Sequence, residues 1–172
     1  MQKKPTKNSK ILRLVRHAKS SWKYDLQDVE RPLKSRGVQD SDRVANHLLG
    51  AEFTPNLILC SPAKRTVKTA EIFIGRLELK NVRFRLEPEL YDFSGENLVK
   101  TIKNVDDSIH DLLIFGHNYA LTNFVNTFGS IEIENMVTSG YVEISFNESS
   151  WRNINNGTTQ RIVFPKDLKA KM

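Results

Sequence analysis

The chain has 172 residues, a length typical of one domain with a core of its own. Hydrophobic residues make up 39% of it and charged residues 27%, an ordinary globular composition that excludes the disordered and fibrous classes. The net charge of +6 favours anionic partners, but it does not choose between nucleic acid, a membrane surface and a phosphorylated substrate.

Cysteine content and hydropathy narrow the class further. Cys60 is the only cysteine, which excludes an internal disulfide framework and a cysteine-rich zinc site and fits a reducing compartment. No apolar run approaches the roughly 20 residues of a membrane span, and no apolar segment follows the basic N-terminus as in a secretory signal. We therefore expect a cytoplasmic protein with no membrane partner.

Apolar runs and helical spacings, taken in chain order, predict strands that alternate with helices. One domain is predicted over 11–165, between a basic flexible tail, 1–10, and a C-terminal tail, 166–172. The predicted strands lie at 11–15, 56–60, 82–86, 111–115 and 141–146, with weaker ones at 151–154 and 161–164. The predicted helices lie at 36–49, 62–74, 95–102 and 121–128. This alternation indicates an α/β fold, a three-layer α/β/α sandwich around a mainly parallel sheet.

Local signals fix several of these boundaries. Gly50 is the predicted stop of the first helix, and Gly75 lies behind the second. Ser61 is the predicted N-cap of the second helix, and Pro62 is its first helical residue. Ser94 is the predicted cap of the third helix. The polar stretch 20–35 is longer than most structureless connections, which is typical of a functional loop.

Polar residues follow three of the predicted strands. The first strand ends in Arg16 and His17, the second leads through Ser61 to Arg65, and the strand at 111–115 ends in Gly116 and His117. Because the carboxyl ends of parallel strands lie at one edge of a sheet, two histidines and two arginines could meet in one pocket.

Such a set suits phosphoryl transfer. Two arginines can donate forked, charge-assisted hydrogen bonds to phosphate oxygens. A neutral imidazole can attack phosphorus in line and become phosphohistidine, and flanking arginines disfavour its charged form. Because the arginines and the second histidine can stabilise the transferring charge, we expect neither a metal nor a cofactor. The sequence also has no His-x-His or His-Glu-x-x-His spacing.

These motifs resemble the histidine phosphatase superfamily, which also holds the cofactor-dependent phosphoglycerate mutases. The resemblance spans roughly 11–145, and its short motifs are Arg16-His17-Ala18, Ser61-Pro62-Ala63-Lys64-Arg65-Thr66 and Gly116-His117-Asn118. The string 16–22, followed by Arg31-Pro32-Leu33 and Arg36-Gly37, looks most like the SixA group of phosphohistidine phosphatases. The resemblance implies a phosphoglycerate mutase-like fold and a phosphatase with a phosphohistidine intermediate.

The resemblance also implies roles for individual residues. His17 would be the nucleophile, Arg16 and Arg65 would bind the phosphate, and His117 would donate to the transferring group. Glu89 is the best match to the family's acidic proton donor. Three nearby carboxylates stay open as alternatives for that role: Glu87, Asp92 and Glu96. The turn Thr138-Ser139-Gly140 resembles a late family turn that brings a backbone or hydroxyl donor to the phosphate.

The spacing of the motifs bears on the substrate. Only 51 residues separate Arg65 from His117, too few for the large lid insertions of the mutases. We therefore expect an open site that favours a phosphate carried on a protein, such as a phosphohistidine-bearing signalling protein. An imidazole leaving group needs less help from an acid than an alkoxide does, so Glu89 would then matter less than His17.

Four alternatives are weighed against this interpretation. A small phosphate ester or nucleotide stays open as the substrate. A module that only binds a phosphorylated partner is disfavoured, because both histidines and both arginines are present. Nucleic acid is disfavoured, because no interleaved aromatic and basic motif occurs. A cysteine-dependent phosphatase is disfavoured, because four residues rather than five separate Cys60 from Arg65.

Overall fold

The computed structural model describes residues 9–169 and consists of six strands and five helices in this range. The strands are β1 (Lys10–Arg16), β2 (Leu57–Cys60), β3 (Arg83–Leu86), β4 (Asp111–Gly116), β5 (Tyr141–Phe146) and β6 (Thr158–Val163). The helices are α1 (Ser35–Leu48), α2 (Lys64–Arg76), α3 (Glu96–Lys103), α4 (Ala120–Phe128) and α5 (Pro165–Lys169). Single 3-10 turns cover Asp28–Glu30, Pro88–Leu90 and Trp151–Asn153.

The strands form one mainly parallel sheet, as the sequence predicts. Its order is β3-β2-β4-β1-β5-β6. The first four strands pair in parallel, whereas β5 runs antiparallel to both β1 and β6. Every residue of β2 and β4 is buried, which explains why these central strands are continuous apolar runs rather than alternating ones.

Helices cover the sheet on both faces, which confirms the three-layer arrangement. Strand residues alternate between the faces, so Leu12 and Leu14 belong to one core cluster and Val15 to the other. The first cluster packs against α3 and α4, and the second packs against α1 and α2. In the described range, no helix is both long enough and apolar enough to cross a membrane.

Three predicted local features are wrong. Residues 151–154 do not form a strand, because Trp151 is fully buried in a 3-10 turn and its Nε1 donates to Ile109 O at 2.7 Å. Helix α2 starts at Lys64 instead of Pro62, and it continues through Gly75 to Arg76. At the start of α3, Ser94 is replaced as the cap by the carboxylate of Asp92, which accepts from the backbone N–H groups of Gly95 and Leu98.

Parts of both predicted tails are ordered. Lys10 is fully buried in β1, where its Nζ donates to Ile109 O at 3.0 Å. At the other end, residues 165–169 form α5, whose Leu168 packs against the second core cluster and whose Lys169 lies 3.1 Å from the carboxylate of Asp40. The rest of the predicted tails, 1–8 and 170–172, lies outside the described residues.

Candidate active site

The ends of β1, β2 and β4 bring the predicted polar residues together. Arg16 pairs with Gly116 in the register of β1 and β4, and His17 N donates to Gly116 O at 3.1 Å. Ser61 N donates to Phe115 O at 3.1 Å, which places the start of the β2–α2 connection at the same edge. The rings of His17 and His117 lie 5.2 Å apart between centroids. The sheet edge thus assembles a pocket from segments distant in sequence.

His17 is held as a neutral imidazole with one free nitrogen. Its Nδ1 lies 2.8 Å from Ala18 O, and because a carbonyl can only accept, Nδ1 carries the proton. Burial, followed by the positive charges of Arg65 and Arg16, lowers the pKa of His17 to about 3. The lone pair therefore lies on Nε2 at physiological pH, which is the state a nucleophile requires.

Contacts from two helices fix the backbone that carries His17. Ala18 N donates to Thr69 Oγ1 at 2.8 Å, and that hydroxyl donates in turn to Arg65 O on the same helix, α2. On α1, Gly37 approaches Lys19 so closely that an added Cβ would lie 2.4 Å from Lys19 O. The histidine is therefore positioned by packing that a glycine at 37 makes possible.

Arg16 and Arg65 each offer an unpaired donor. Arg16 Nη1 donates to Met136 O at 2.8 Å, and Arg65 Nη1 donates to Asp28 O at 2.7 Å. Among residues 9–169, the Nε atoms of both arginines are buried and have no hydrogen-bond partner. A buried, unsatisfied guanidinium donor is costly unless an acceptor arrives, so the pair suits an anionic ligand.

His117 contacts both Ser61 and Arg65. Its Nε2 lies 2.7 Å from Ser61 Oγ and its Nδ1 lies 3.4 Å from Arg65 Nη2. Burial, followed by His17 and Arg65, lowers the pKa of His117 to about 2. Because a guanidinium can only donate, His117 Nδ1 accepts from Arg65, and Nε2 carries the proton that Ser61 Oγ accepts. Ser61, predicted as a helix cap, instead orients the second histidine.

Asp28 is the principal site residue that the sequence reasoning missed. Its carboxylate accepts from Arg65 Nη2 at 3.0 Å, from Arg31 Nε at 3.0 Å and from the hydroxyl of Tyr91. Burial opposes ionisation, but the hydrogen bond from Tyr91 and the charge of Arg65 lower the pKa of Asp28 to about 2. Its one sequence signal was a place in the loop 20–35, whose length predicts a function.

Glu89, the predicted proton donor, lies outside this hydrogen-bonded cluster. It is exposed on the turn Pro88–Leu90, because Leu90 takes the buried side of that turn. It lines a shallow groove with Arg85, Asn97 and Lys100, and within the described part of the chain no hydrogen bond joins it to either histidine. Glu89 is therefore separated from the hydrogen-bonded network of His17 and His117.

The three alternatives to Glu89 have different surroundings. Asp92 is buried and caps α3 through Gly95 and Leu98, so its carboxylate is already committed. Glu87 lies 3.2 Å from the guanidinium of Arg85 on the exposed strand β3. Glu96 is exposed in the first turn of α3.

The turn at 138–140 supports the site through its backbone. Ser139 has a φ of 59°, and its N–H is shared between Arg16 O at 3.2 Å and His17 O at 3.3 Å. Its buried hydroxyl lies 2.8 Å from Ser41 Oγ on α1. The N–H of Ser139 therefore holds the end of β1 and its hydroxyl contacts α1, while Thr138 lies half-buried beside it.

The site is built from nitrogen donors and acceptors rather than from a cluster of metal ligands. Within residues 9–169, no group of three or more His, Cys, Asp or Glu side chains is arranged to hold a metal ion. The arrangement can bind a tetrahedral anion between Arg16 and Arg65 and present it to Nε2 of His17.

The family is settled by sequence. A family model for the histidine phosphatase superfamily, branch 1, matches residues 12–108. The chain belongs to this superfamily. A chloroplastic protein of Arabidopsis thaliana, itself uncharacterised, is 30% identical over 124 residues, 66% of this chain and 56% of that protein. The chain thus spans little more than half the length of this relative.

Solved structures of histidine phosphatase relatives confirm the fold. The structure of the protein histidine phosphatase SixA complexed with tungstate has a TM-score of 0.77 at 23% identity, over 92% of this chain and 99% of that one. A phosphoglycerate mutase from Bacillus anthracis has a TM-score of 0.67 at 13% identity, over 94% and 96% of the two chains. The phosphoglycerate mutase-like architecture predicted from the sequence is therefore present.

Proposed function

We propose that this histidine phosphatase superfamily member is a phosphatase that acts on phosphohistidine in proteins through a phosphohistidine at His17. One observation carries the proposal. His17 is neutral with its lone pair on Nε2, and it shares a pocket with two arginines whose Nε donors have no partner. A nucleophile and an anion clamp therefore occur together.

In the first half of the reaction, the phosphoryl group binds Arg16 and Arg65 and its phosphorus faces His17 Nε2. The bond from Nε2 to phosphorus forms as the bond from phosphorus to the substrate nitrogen breaks. That nitrogen keeps the electron pair, and the substrate imidazole leaves neutral because its other ring nitrogen carries a proton. The Nδ1–H bond to Ala18 O holds the ring throughout and stabilises the positive charge that develops on it.

In the second half, water attacks phosphorus, the Nε2–phosphorus bond breaks and inorganic phosphate leaves. Asp28 stays ionised and holds the guanidinium of Arg65 in place, so we assign it a positioning role. When the phosphate accepts from Arg65 Nη2 in place of His117 Nδ1, Ser61 can donate to Nε2 and a protonated Nδ1 can donate to the phosphoryl oxygens. No step needs a metal, because the arginines and His117 stabilise the transferring charge.

Two features favour a protein phosphohistidine over a small phosphate ester. The connection between Arg65 and His117 leaves no length for a large lid over the site, which favours a phosphate carried on another protein. An imidazole is also a better leaving group than an alkoxide, which fits a pocket whose nearest carboxylate, Asp28, is ionised rather than acidic. We further propose a cytoplasmic location, in line with the single, buried cysteine.

The test compares two substrates in the presence of EDTA: a small protein phosphorylated on histidine with phosphoramidate, and 4-nitrophenyl phosphate. We expect wild type to hydrolyse the phosphoprotein more efficiently, and His17→Asn to lose at least about 1000-fold in kcat/KM on both substrates. His47→Asn is the matched control, because His47 is exposed in the last turn of α1. Activity that survives in His17→Asn would contradict the mechanism, and a preference for the small ester would contradict the substrate.

A further inference from the structure

Three large aromatic side chains are exposed beside the phosphate pocket. Phe93 is 45% exposed, Tyr119 is 66% exposed and Trp22 is 75% exposed, although most large apolar residues of the chain are buried. Isolated exposed apolar residues are common, whereas a cluster of them beside a pocket marks a binding surface.

Phe93 contacts the second histidine directly. Its ring centroid lies 5.1 Å from that of His117, with an interplanar angle of 51°. The ring of Tyr91 closes the same group, 5.1 Å from Phe93 and 5.4 Å from His117. His117 is therefore packed against rings on its outer side, and nearly half of the Phe93 surface faces solvent.

Tyr119 lies next to Phe93 through the backbone. Tyr119 N donates to Phe93 O at 3.1 Å, so the loop before α3 and the loop after β4 are joined at this point. Tyr119 also lies two residues after His117, at the N-terminal end of α4. The two exposed rings thus belong to the mouth of the pocket.

Trp22 borders the pocket at the loop 20–35. The guanidinium of Arg31 stacks 3.5 Å from the centroid of the Trp22 ring, and Arg31 Nε also contacts Asp28 in the site. The charge of Arg31 reaches His17, whose pKa it helps to lower after burial and the other two arginines. The stack on Arg31 leaves most of the indole surface exposed.

We propose that Phe93, Tyr119 and Trp22 form an aromatic rim that selects phosphates carried on a flat ring over phosphates carried on an alkyl chain. The rim would therefore favour the imidazole of phosphohistidine or an aryl group and disfavour a serine or threonine side chain. This inference rests on the proposed function for its substrate, and it assigns to the three rings a part in specificity rather than in bond breaking.

In-line transfer supplies the reason for this selection. The leaving group departs from the side of phosphorus opposite His17 Nε2, so it points out of the pocket toward the mouth, where the exposed rings lie. Aromatic rings attract one another in tilted or offset arrangements with centroids 4.5–7 Å apart, a preference beyond simple apolar burial. An alkyl leaving group would meet the same rings without that gain.

The test uses binding, so that it does not depend on catalysis. We measure the dissociation constants of phenylphosphonate and methylphosphonate for wild type by calorimetry, and then for Phe93→Ala, Phe93→Leu and Tyr119→Ala. Wild type should bind phenylphosphonate about 2- to 10-fold more tightly than methylphosphonate. Each alanine variant should reduce that ratio at least twofold, and Phe93→Leu should not restore it, because leucine keeps apolar volume without a ring.

Phe84→Ala is the matched control, because Phe84 is 40% exposed on the edge strand β3. It should leave the ratio unchanged. The proposed role of the rim would be contradicted if wild type bound the two phosphonates equally well. It would also be contradicted if both alanine variants kept the wild-type preference for phenylphosphonate. Failure of the proposed function would look different, because an inactive protein could still bind the two phosphonates unequally.

Discussion

Strand β1 carries two arginines, three residues apart, in opposite electrostatic situations: Arg13 is buried and Arg16 is half-buried. Arg13 is 1% exposed and all five of its N–H donors are used, by Asp111, Tyr141, Glu143 and the carbonyl of Glu52. Arg16 has one hydrogen bond, to a backbone carbonyl, and its buried Nε has no partner in residues 9–169. Within this range, the guanidinium of Arg13 thus has a hydrogen-bond partner for every N–H, whereas that of Arg16 has unpaired N–H groups.

The pKa values of the two groups move in opposite directions. Burial opposes the charge of Arg13, but the hydrogen bonds that it donates to Asp111 and the negative charges around it raise its pKa. Burial lowers the pKa of Arg16, and the neighbouring charge of Arg65 adds to that effect. Arg13 is neutralised by carboxylates of its own chain, whereas Arg16 is left for an acceptor from outside. We therefore propose that Arg13 is a structural arginine and that Arg16 binds the ligand.

The largest expected effect on stability comes from Arg13→Met. Removing the guanidinium leaves Asp111 and Glu143 buried without their partner, which costs about 3–5 kcal/mol of the free energy of unfolding. Urea denaturation measures this loss, with Arg83→Met on the exposed strand β3 as the control. At a temperature where the variant is folded, its kcat/KM should equal that of wild type. A loss of activity in folded Arg13→Met would contradict a purely structural role of Arg13.

Arg16→Met should give the opposite result. We expect kcat/KM to fall about 100- to 1000-fold, because a donor to the transferring phosphoryl group is lost. The free energy of unfolding should be unchanged or higher, because a half-buried guanidinium with one hydrogen bond is removed. Both predictions are checked by measuring kcat/KM and urea denaturation on the same preparation of Arg16→Met. A variant that is active but unstable would mean that Arg16 is structural like Arg13.

The pH dependence of folding stability should come from His17 and His117, which lie beside Arg16 in the site. Unfolded histidine has a pKa near 6.5, whereas the pKa values of His17 and His117 are lowered to about 3 and about 2, so the unfolded state binds more protons as the pH falls. Stability should therefore decrease from pH 7.5 to pH 5, by about 1–2 kcal/mol per histidine. In His17→Asn the slope measured by urea denaturation should be shallower; an equal slope would contradict the lowered pKa of His17.

The smallest expected effect is that of Glu89→Gln. Because Glu89 is exposed and outside the hydrogen-bonded cluster, we expect less than about a threefold change in kcat/KM on histidine-phosphorylated protein. On 4-nitrophenyl phosphate the change should be similarly small. Glu71→Gln serves as the matched control, because Glu71 is an exposed carboxylate on α2. Equal and severe losses on both substrates would instead identify Glu89 as an essential proton donor.

The sequence predicts the framework of the site because strand ends are local signals. Arg16, His17 and His117 each follow an apolar run directly, and the parallel sheet brings such ends together. The long-range partners carry no such signal. Asp28 contacts Arg65 across 37 residues, and nothing in the periodicity of a polar loop identifies which of its carboxylates turns inward. Contacts of this kind arise only once the sheet and α2 are assembled.

Other differences arise where tertiary contacts override a local preference. Ser61 and Pro62 are typical of a helix start, but the Ser61 hydroxyl is drawn to His117 and α2 begins three residues later. Residues 151–154 have the composition of a strand, yet burying the Trp151 indole against Ile109 O favours a turn. In both cases a long-range hydrogen bond decides what the local pattern leaves undetermined.

The buried thiol of Cys60 has a consequence for how the protein responds to oxidants. Its side chain is fully buried in β2, and burial raises its pKa, so the reactive thiolate is scarce. Phosphatases that use a cysteine nucleophile are inactivated by peroxide and by alkylating agents through that same thiolate. We therefore expect the proposed phosphatase, which would hold its phosphoryl group on the imidazole of His17, to keep its activity under oxidative stress that inactivates thiol-dependent enzymes.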